Sequence, residues 1–592
     1  MCGIGGWVGE VRGLRLDETH LTSMMATMRH RGPDGSGTWI SREHPVAIGH
    51  NRLSIIDLSD AGRQPMINDA NGDVLAFNGE IYNFQELRRE LEAKGFHFRS
   101  RSDTEVLLFS WAAWGSDCLT RIEGMYAFAV WRPTENALYL ARDPLGIKPL
   151  YYWSQDGCGL AFASEVKAFF ALPGFSAKLD RRALGQFLEF GYTFDATHTC
   201  LDGVHKVPPG NFLKLSTTGP VAKPEAFYVP QVRDPGSKDE PGRVEELYET
   251  LRRVVEQHLI ADVPVGLLLS GGLDSSILAA IAARSTKVRT ISMGFANSSL
   301  DERPYARRVA DYLGSEHEEV LISPEDVKAS LLSSVAVFDD LFADWGAVST
   351  RLLYAKCRER GIKVVIVGEG SDELFGGYDV FRHGPSRAPM EFWLLRLYRY
   401  YAGQRYGRFY KDFRAIMHEH LTACGNDRFA AIRLFESRQQ VPNNYILKVD
   451  RASMSVSIEA RVPFLDRRVA EVAYRTPSEF LLAQGTEKHL LRRMAARFNL
   501  LPAETLRRRK LGGSIAASWM DDQPEWRNYA KDVILDTAGW TRKLGLSAAM
   551  QAYFVENRSG YRFPHPISIF RNLAWRLLIL ELWARAYNVY AA

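Results

Sequence analysis

Cys2 stands one residue from the start of a 592-residue chain. Small residues at position 2 allow removal of Met1, which would make Cys2 the N-terminal residue. An N-terminal cysteine joins a nucleophile to a general base, its own α-amine. The amine titrates near ~7.7–8.0 and a free thiol near ~8.5, so both are poised close to neutral pH. A lone second cysteine is more often an ordinary thiol. The Gly3-Ile4-Gly5-Gly6 run behind it and two further groupings argue otherwise. One is Ser270-Gly271-Gly272-Leu273-Asp274-Ser275-Ser276, between an apolar run and a helical pattern: glycines admit a polyanion close to the backbone, and hydroxyls and amides at a helix start bind it. It lacks the lysine of a G-x-x-x-x-G-K-[ST] loop. The other is Gly368-Glu369-Gly370-Ser371-Asp372-Glu373, whose crowded carboxylates repel unless cations or hydrogen bonds offset them. Asp274 and Asp372 offer hard oxygen ligands of the kind Mg²⁺ takes on a pyrophosphate.

The elements that position these residues change character along the chain. Up to about residue 215, short apolar runs alternate with Gly, Asn and Asp turns. Residues 74–77 stop at Asn78-Gly79, and residues 127–131 and 137–141 flank Arg132-Pro133-Thr134-Glu135-Asn136, as in an antiparallel arrangement with hairpins. Helical spacing marks residues 84–94 and 103–114. Residues 216–242 carry Pro220, Pro224, Pro230, Pro235 and Pro241 in a polar stretch and read as a linker. Beyond it, residues 265–269 and 364–367 are uninterrupted apolar runs, 288–293 a more dilute one, and helical patterns follow each. That rhythm indicates a parallel sheet covered on both faces. From about residue 385 the chain reads as mostly helical.

Composition narrows the class. Hydrophobic content of 46% and charged content of 24% are those of a soluble globular protein, and 592 residues exceed one ordinary core. A formal charge of +4 singles out neither nucleic acid nor membrane as a partner. Six cysteines without a C-x-x-C pair speak against a disulfide framework or a structural zinc site, and fit a reducing compartment. The start lacks a secretory pattern, and the apolar stretch 567–589 is broken by Arg571, Arg576, Glu581 and Arg585, so a cytoplasmic protein is expected.

The glycine-hydroxyl loop resembles the SGGxDS pyrophosphate loop of enzymes that split ATP between the α- and β-phosphates. With it, the whole chain resembles the glutamine-dependent asparagine synthetases of the bacterial B type. The resemblance implies an N-terminal-nucleophile α+β sandwich (αββα) over residues 2–215, a linker, and an α/β parallel-sheet ATP-pyrophosphatase domain with a helical C-terminal part over 243–592. Cys2 then matches the nucleophile that attacks the glutamine amide. Asn78 and Gly79 of Asn78-Gly79-Glu80 match the oxyanion hole, where one donor is worth about 3–4 kcal/mol. Arg52 matches the group that holds the α-carboxylate of glutamine, and Glu80 and Asp103 those that hold its α-amine. His30-Arg31-Gly32-Pro33-Asp34, Lys448-Val449-Asp450-Arg451 and Glu459-Ala460-Arg461-Val462-Pro463-Phe464-Leu465-Asp466 are further family segments. On the ATP side the resemblance assigns Leu269, Ser270, Gly271, Gly272, Asp274, Ser275, Met293, Gly368, Asp372 and Lys510 to nucleotide or pyrophosphate, with Mg²⁺ on Asp274 and Asp372. Glu369 matches a glutamate that helps deprotonate incoming ammonia. Implied substrates are glutamine, ATP and a carboxylate acceptor; the resemblance allows a homodimer.

Three departures fall on the acceptor side. Val367 stands where serine is usual, Asp339-Asp340-Leu341-Phe342-Ala343-Asp344-Trp345-Gly346 replaces D-E-P-x-x-D-P-S, and Gly513 follows Gly512 in place of phenylalanine. These departures leave the acceptor open: the resemblance implies aspartate by default, and the departures bring in another carboxylate such as a uronic acid, a peptide or a biosynthetic intermediate. Residues 396–414 interleave arginines and aromatics as nucleic-acid surfaces do, but read better as an amphipathic helix pair.

Overall fold

The computed structural model describes the chain except residues 155–158, 219, 233–238, 296–300, 404–406, 484, 509–522, 557–566 and 590–592. Two six-stranded antiparallel sheets make up its first part. One runs in the order Val204–Lys206, Tyr151–Trp153, Leu160–Ala163, Gly3–Val8, Val46–Arg52, Gly35–Ile40. The other runs Glu225–Ala226, Asn211–Ser216, Ala137–Arg142, Gly124–Arg132, Val74–Ile81, Met66–Ile67. Alternate side chains of the two sheets meet in one core, with Ile4, Val8 and Ile48 against Ala76, Ala129 and Leu140. The helix Glu18–Ala26 covers the first sheet, and Phe84–Ala93 and Asp103–Trp114 cover the second, giving the αββα sandwich.

The strand Val74–Ile81 runs straight through Asn78 and Gly79, where the Asn-Gly pair suggests a turn. Gly79 lies opposite Tyr126 in the ladder, and a Cβ there would meet Met125 O and Tyr126 Cα. Glycine here serves close backbone approach within a strand.

A five-stranded parallel sheet follows, in the order Glu316–Ile322, Arg289–Phe295, Val265–Leu268, Val364–Ile366, Glu459–Arg461. Helices including Glu240–His258, Leu273–Ala283 and Ala347–Glu359 pack around it, and the remainder is helical up to Ile567–Tyr587. The arginine-rich pair Met390–Ala402 and Tyr410–Ala423 buries Trp393, Leu397 and Phe413. No helix among the described residues is long and apolar enough to cross a membrane.

The sandwich and the parallel sheet meet through buried charge. The fully buried guanidinium of Arg31 donates through Nε to Cys2 O at 3.0 Å, and through Nη1 to Glu165 Oε1 and Asp450 Oδ2 at 2.8 Å each. Nη2 completes a fork on Asp450 Oδ1 at 3.0 Å. Beside it Arg451 pairs with Asp339 at 3.0 Å and donates to Ser164 O at 3.0 Å. Truncating one partner of such a cluster strands the others in a medium that solvates them poorly. Arg31→Ala should therefore cost about 3–5 kcal/mol in urea unfolding; an unchanged midpoint would show that the cluster does not hold the halves together.

Candidate active sites

The first site gathers at the edge of the sandwich, where the strands Gly3–Val8 and Val74–Ile81 bring their chemistry together. Cys2, Arg52, Gly79, Glu80 and Asp103 line one cleft, with Met1 beside them. Asn78 touches it from behind: the Cys2 amide donates to Asn78 Oδ1 at 3.0 Å, while Asn78 Nδ2 is buried without a hydrogen-bond partner among the described residues. An unsatisfied buried amide is costly unless a further acceptor arrives. Burial pushes the Cys2 thiol up, opposed by the N-terminal ammonium, the Leu53 amide and Arg52. The guanidinium of Arg52 is fixed by two backbone carbonyls, Ser59 O at 2.8 Å and Asp57 O. Asp103 opens its helix and accepts the Ile81 amide at 2.9 Å; burial brings its carboxyl up to about 6. Glu80 is pushed well up by burial, with Glu459 and Asp103 adding to it and Arg461 opposing. Two like carboxylates beside one cation are arranged to receive another positive group.

The second site forms where the parallel strands end. Leu269 is buried and donates its amide to Ile291 O at 2.8 Å; Met293 is half-buried on the neighbouring strand. The turn through Ser270, Gly271 and Gly272 leads into the helix Leu273–Ala283, tied by Ser270 and Ser275 hydroxyls 3.0 Å apart and by the Gly272 amide on Ser270 Oγ at 3.2 Å. Gly368 packs against Asp274 and Ser275, so the two loops abut. A hydroxyl also bridges this contact, where Ser371 Oγ donates to Asp274 Oδ1 at 2.6 Å.

Asp274 and Asp372 do converge, and what joins them is Lys488, with Nζ 2.5 Å from Asp274 Oδ2 and 2.8 Å from Asp372 Oδ1. Burial works against its charge, yet the two aspartates hold that ammonium above the usual lysine range. Lys488 adopts φ +53°, an uncommon backbone conformation for a long side chain. It lines a cleft with Ser270, Gly272, Asp274, Arg492 and Arg508. Arg508 lies 3.8 Å over the Tyr305 ring and pairs with Glu302 at 2.8 Å. Lys510 lies outside the described residues. Lys488 and Arg492 carry no motif to announce them; only the Gly485-Thr486-Glu487-Lys488 turn before a helix hints at the first. Glu369 sits beyond this cleft, near Tyr354 and Lys448, whose ionisation it influences.

Comparison with known proteins follows the same division. The glutamine amidotransferase domain family matches residues 1–228 and the asparagine synthase family residues 246–585. The glutamine-hydrolyzing asparagine synthetase 1 of Bacillus subtilis is 33% identical over 590 residues, covering 90% of each chain. Asparagine synthetase B of Escherichia coli is 30% identical over 563 residues, 91% of this chain and 87% of that protein. A protein named Amidase chry2 from Gibberella zeae is 32% identical over 422 residues, 66% of this chain and 62% of its own.

The chain belongs to the asparagine synthase family.

Membership makes it a carbon–nitrogen ligase, and use of ATP comes with the family. In this chain the acidic segment 339–344 is largely structural. Asp339 pairs with Arg451 and accepts the Lys167 amide at 2.9 Å, and Asp340 accepts the Cys200 and Leu341 amides at 2.9 Å each. Asp344 lies 3.4 Å from Nζ of Lys448, which stands on the helix that also carries Arg451. Val367 is buried, and its amide donates to Arg461 O at 2.9 Å. Gly513 lies outside the described residues.

Two substitutions separate the sites. A Cβ at Gly62 would overlap the Arg52 guanidinium. Gly62→Ala should raise the KM for glutamine about ten- to hundredfold, the worth of one charge-assisted hydrogen bond, without slowing ammonium-driven turnover. A normal glutamine KM would mean that Arg52 does not hold substrate in the observed rotamer. Lys488→Met should cut ATP-dependent pyrophosphate release at least about 100-fold while glutamate release continues, because it leaves Asp274 and Asp372 facing each other; parallel loss of both activities would speak for general unfolding instead.

Proposed function

We propose that the enzyme takes nitrogen from glutamine at Cys2 and forms an amide on a carboxylate activated by ATP, with aspartate as the default acceptor. The observation that carries this reading is the pairing of Cys2 with Asn78, whose Nδ2 has no hydrogen-bond partner among the described residues, beside Arg52, Glu80 and Asp103. A zwitterionic amino acid fits that set, with its carboxylate on Arg52 and its amine on Glu80 and Asp103. The Asn78 amide and the Gly79 N–H would steady the oxyanion formed as the thiolate adds to the side-chain amide. Removal of Met1 supplies the Cys2 amine as general base.

In the second site the acceptor carboxylate would attack the α-phosphate of ATP, giving an acyl-adenylate and pyrophosphate. Ammonia then displaces AMP, with Glu369 accepting a proton. Lys488, Arg492 and the Ser270–Ser276 turn are suited to the phosphates. Mg²⁺ would arrive with ATP as part of the substrate. Asp274 and Asp372 offer carboxylate oxygens to such a phosphate-borne cation. Free ammonia is mostly protonated at neutral pH, so a dry conduit from Cys2 to Glu369 belongs to this scheme. We place the division between glutaminase and synthetase within residues 216–242, and the enzyme in the cytoplasm, in keeping with its unpaired Cys2, Cys118, Cys200, Cys357 and Cys424.

A second acceptor has support of its own. Val367 puts an apolar, buried side chain where a hydroxyl would offer a contact, and the fungal relative is named an amidase. A panel of carboxylates with ATP, Mg²⁺ and ammonium, read as pyrophosphate release, decides: turnover is expected with aspartate, and turnover with a different carboxylate alone replaces aspartate in the reading. Release of ADP and phosphate would overturn the adenylate route. Cys2→Ala should abolish glutamine use and keep ammonium-driven synthesis; equal loss of both would refute two separate sites.

A further inference from the structure

The edge strand of the parallel sheet, Glu459–Arg461, sets two charged side chains against Met1 and Glu80, which line the glutamine-side cleft. Both strand side chains are fully buried. Glu459 Oε1 accepts from Arg461 Nε at 2.6 Å, and Arg461 Nη2 lies 3.5 Å from Glu80 Oε1. The other oxygen, Oε2, is 2.9 Å from the N-terminal ammonium of Met1, and neither group is exposed. Glu459 is also close enough to Cys2 to influence its thiol. A primary ammonium is thus already seated on this carboxylate, one residue from the nucleophile.

We propose that Glu459 is the first binding site for the ammonia released from glutamine, at the place the Met1 ammonium fills until Met1 is removed. The inference rests on the reading of Cys2 given above. When the Cys2 sulfur adds to the amide carbon and the C–N bond breaks, the thiol's proton leaves with nitrogen and the product is neutral NH₃. Its N–H groups find an acceptor in Glu459 Oε2. Arg461 stays on the other oxygen and favours the ionised form, and an ionised Glu459 accepts from ammonia and leaves its lone pair free. The strand carrying this site is hydrogen-bonded to the next one on the way to Glu369. Arg461 pairs with Ile366 in the ladder, and its carbonyl accepts the Val367 amide at 2.9 Å. Glu459 thus stands where nitrogen leaves the glutamine side, and the quantity its loss should change is the coupling between the two half-reactions.

The test uses the full-length enzyme with Met1 removal verified by mass, and the variant Glu459→Gln, which keeps shape and loses charge. Glutamate release, glutamine-driven pyrophosphate release and ammonium-driven pyrophosphate release are measured side by side. For the wild type the ratio of glutamate to pyrophosphate should be near one. In the variant it should rise at least about threefold, with ammonium-driven synthesis serving as the measure of an intact fold, and ¹⁵N from external ammonium should enter the product during glutamine turnover. A ratio that stays at one overturns the proposal. If Glu459→Gln loses ammonium-driven synthesis as well, Glu459→Asp, which keeps a partner for Arg461 but withdraws the carboxylate, is scored in the same way: a raised ratio is expected, an unchanged one overturns. A wild type without glutamine-driven pyrophosphate release would bring down the functional reading itself, and the ammonia site with it.

Discussion

One buried guanidinium ties the molecule together. Arg31 holds the Cys2 carbonyl with one nitrogen and the carboxylate of Asp450, from the other half of the chain, with two more. Burial works against its charge, but Asp450 and Glu165 more than offset this and hold it above the usual arginine range. A fork–fork pair has a narrow geometry. The backbone at Cys2 and the helix Ile446–Met454 of the parallel-sheet half are therefore set relative to each other by one planar group. Arginine suits this place because lysine could not reach three acceptors with fixed angles.

The rest of the interface follows the same logic. Glu165 is shared by Arg31, Lys167 and His30, and Arg451 is shared by Asp339, Ser164 O and the face of Tyr151. Buried ion pairs of this kind stabilise little against apolar packing, but they penalise every misaligned docking in which a charge loses its partner. If nitrogen passes between the two centres as proposed, such a fixed alignment serves it more than additional stability would.

That division of labour explains what was legible in the sequence. The glutamine-side residues lie on strands and helix starts whose motifs are compact, and Cys2, Arg52, Gly79, Glu80 and Asp103 do meet in one cleft. The strands Val265–Leu268 and Val364–Ile366 show as apolar runs because both faces are covered. Two other strands of the same sheet do not. Glu316–Ile322 is an edge strand whose charged side chains are spent on Lys287, Arg289, Arg307 and Arg360, and Glu459–Arg461 buries its charges against Met1 and each other. Hydrophobic patterning cannot find a strand whose side chains are satisfied by ion pairs formed only in the fold. Lys488 escaped for a related reason: its partners are 214 and 116 positions away, at Asp274 and Asp372, so no local spacing encodes it.

The two reaction centres share an electrostatic plan. Each concentrates carboxylates beyond what nearby arginines balance, and each is neutralised in this structure by an ammonium of the chain itself: Met1 at Glu459, Lys488 at Asp274 and Asp372. Removing such a cation without replacement would leave buried negative charge, at a cost of several kcal/mol. Exchange of partners avoids that cost. As a substrate's ammonium, or the metal carried by a nucleotide, approaches, the resident cation can be released or turned to a new anion while the carboxylates remain paired. For Lys488 the phosphates of ATP would be such an anion in the proposed scheme, so one side chain would hold Asp274 and Asp372 together before substrate arrives and bind the substrate afterwards. Glu459 differs in that its resident ammonium belongs to the residue before Cys2, which the proposed scheme removes for good, leaving a fully buried carboxylate paired to Arg461.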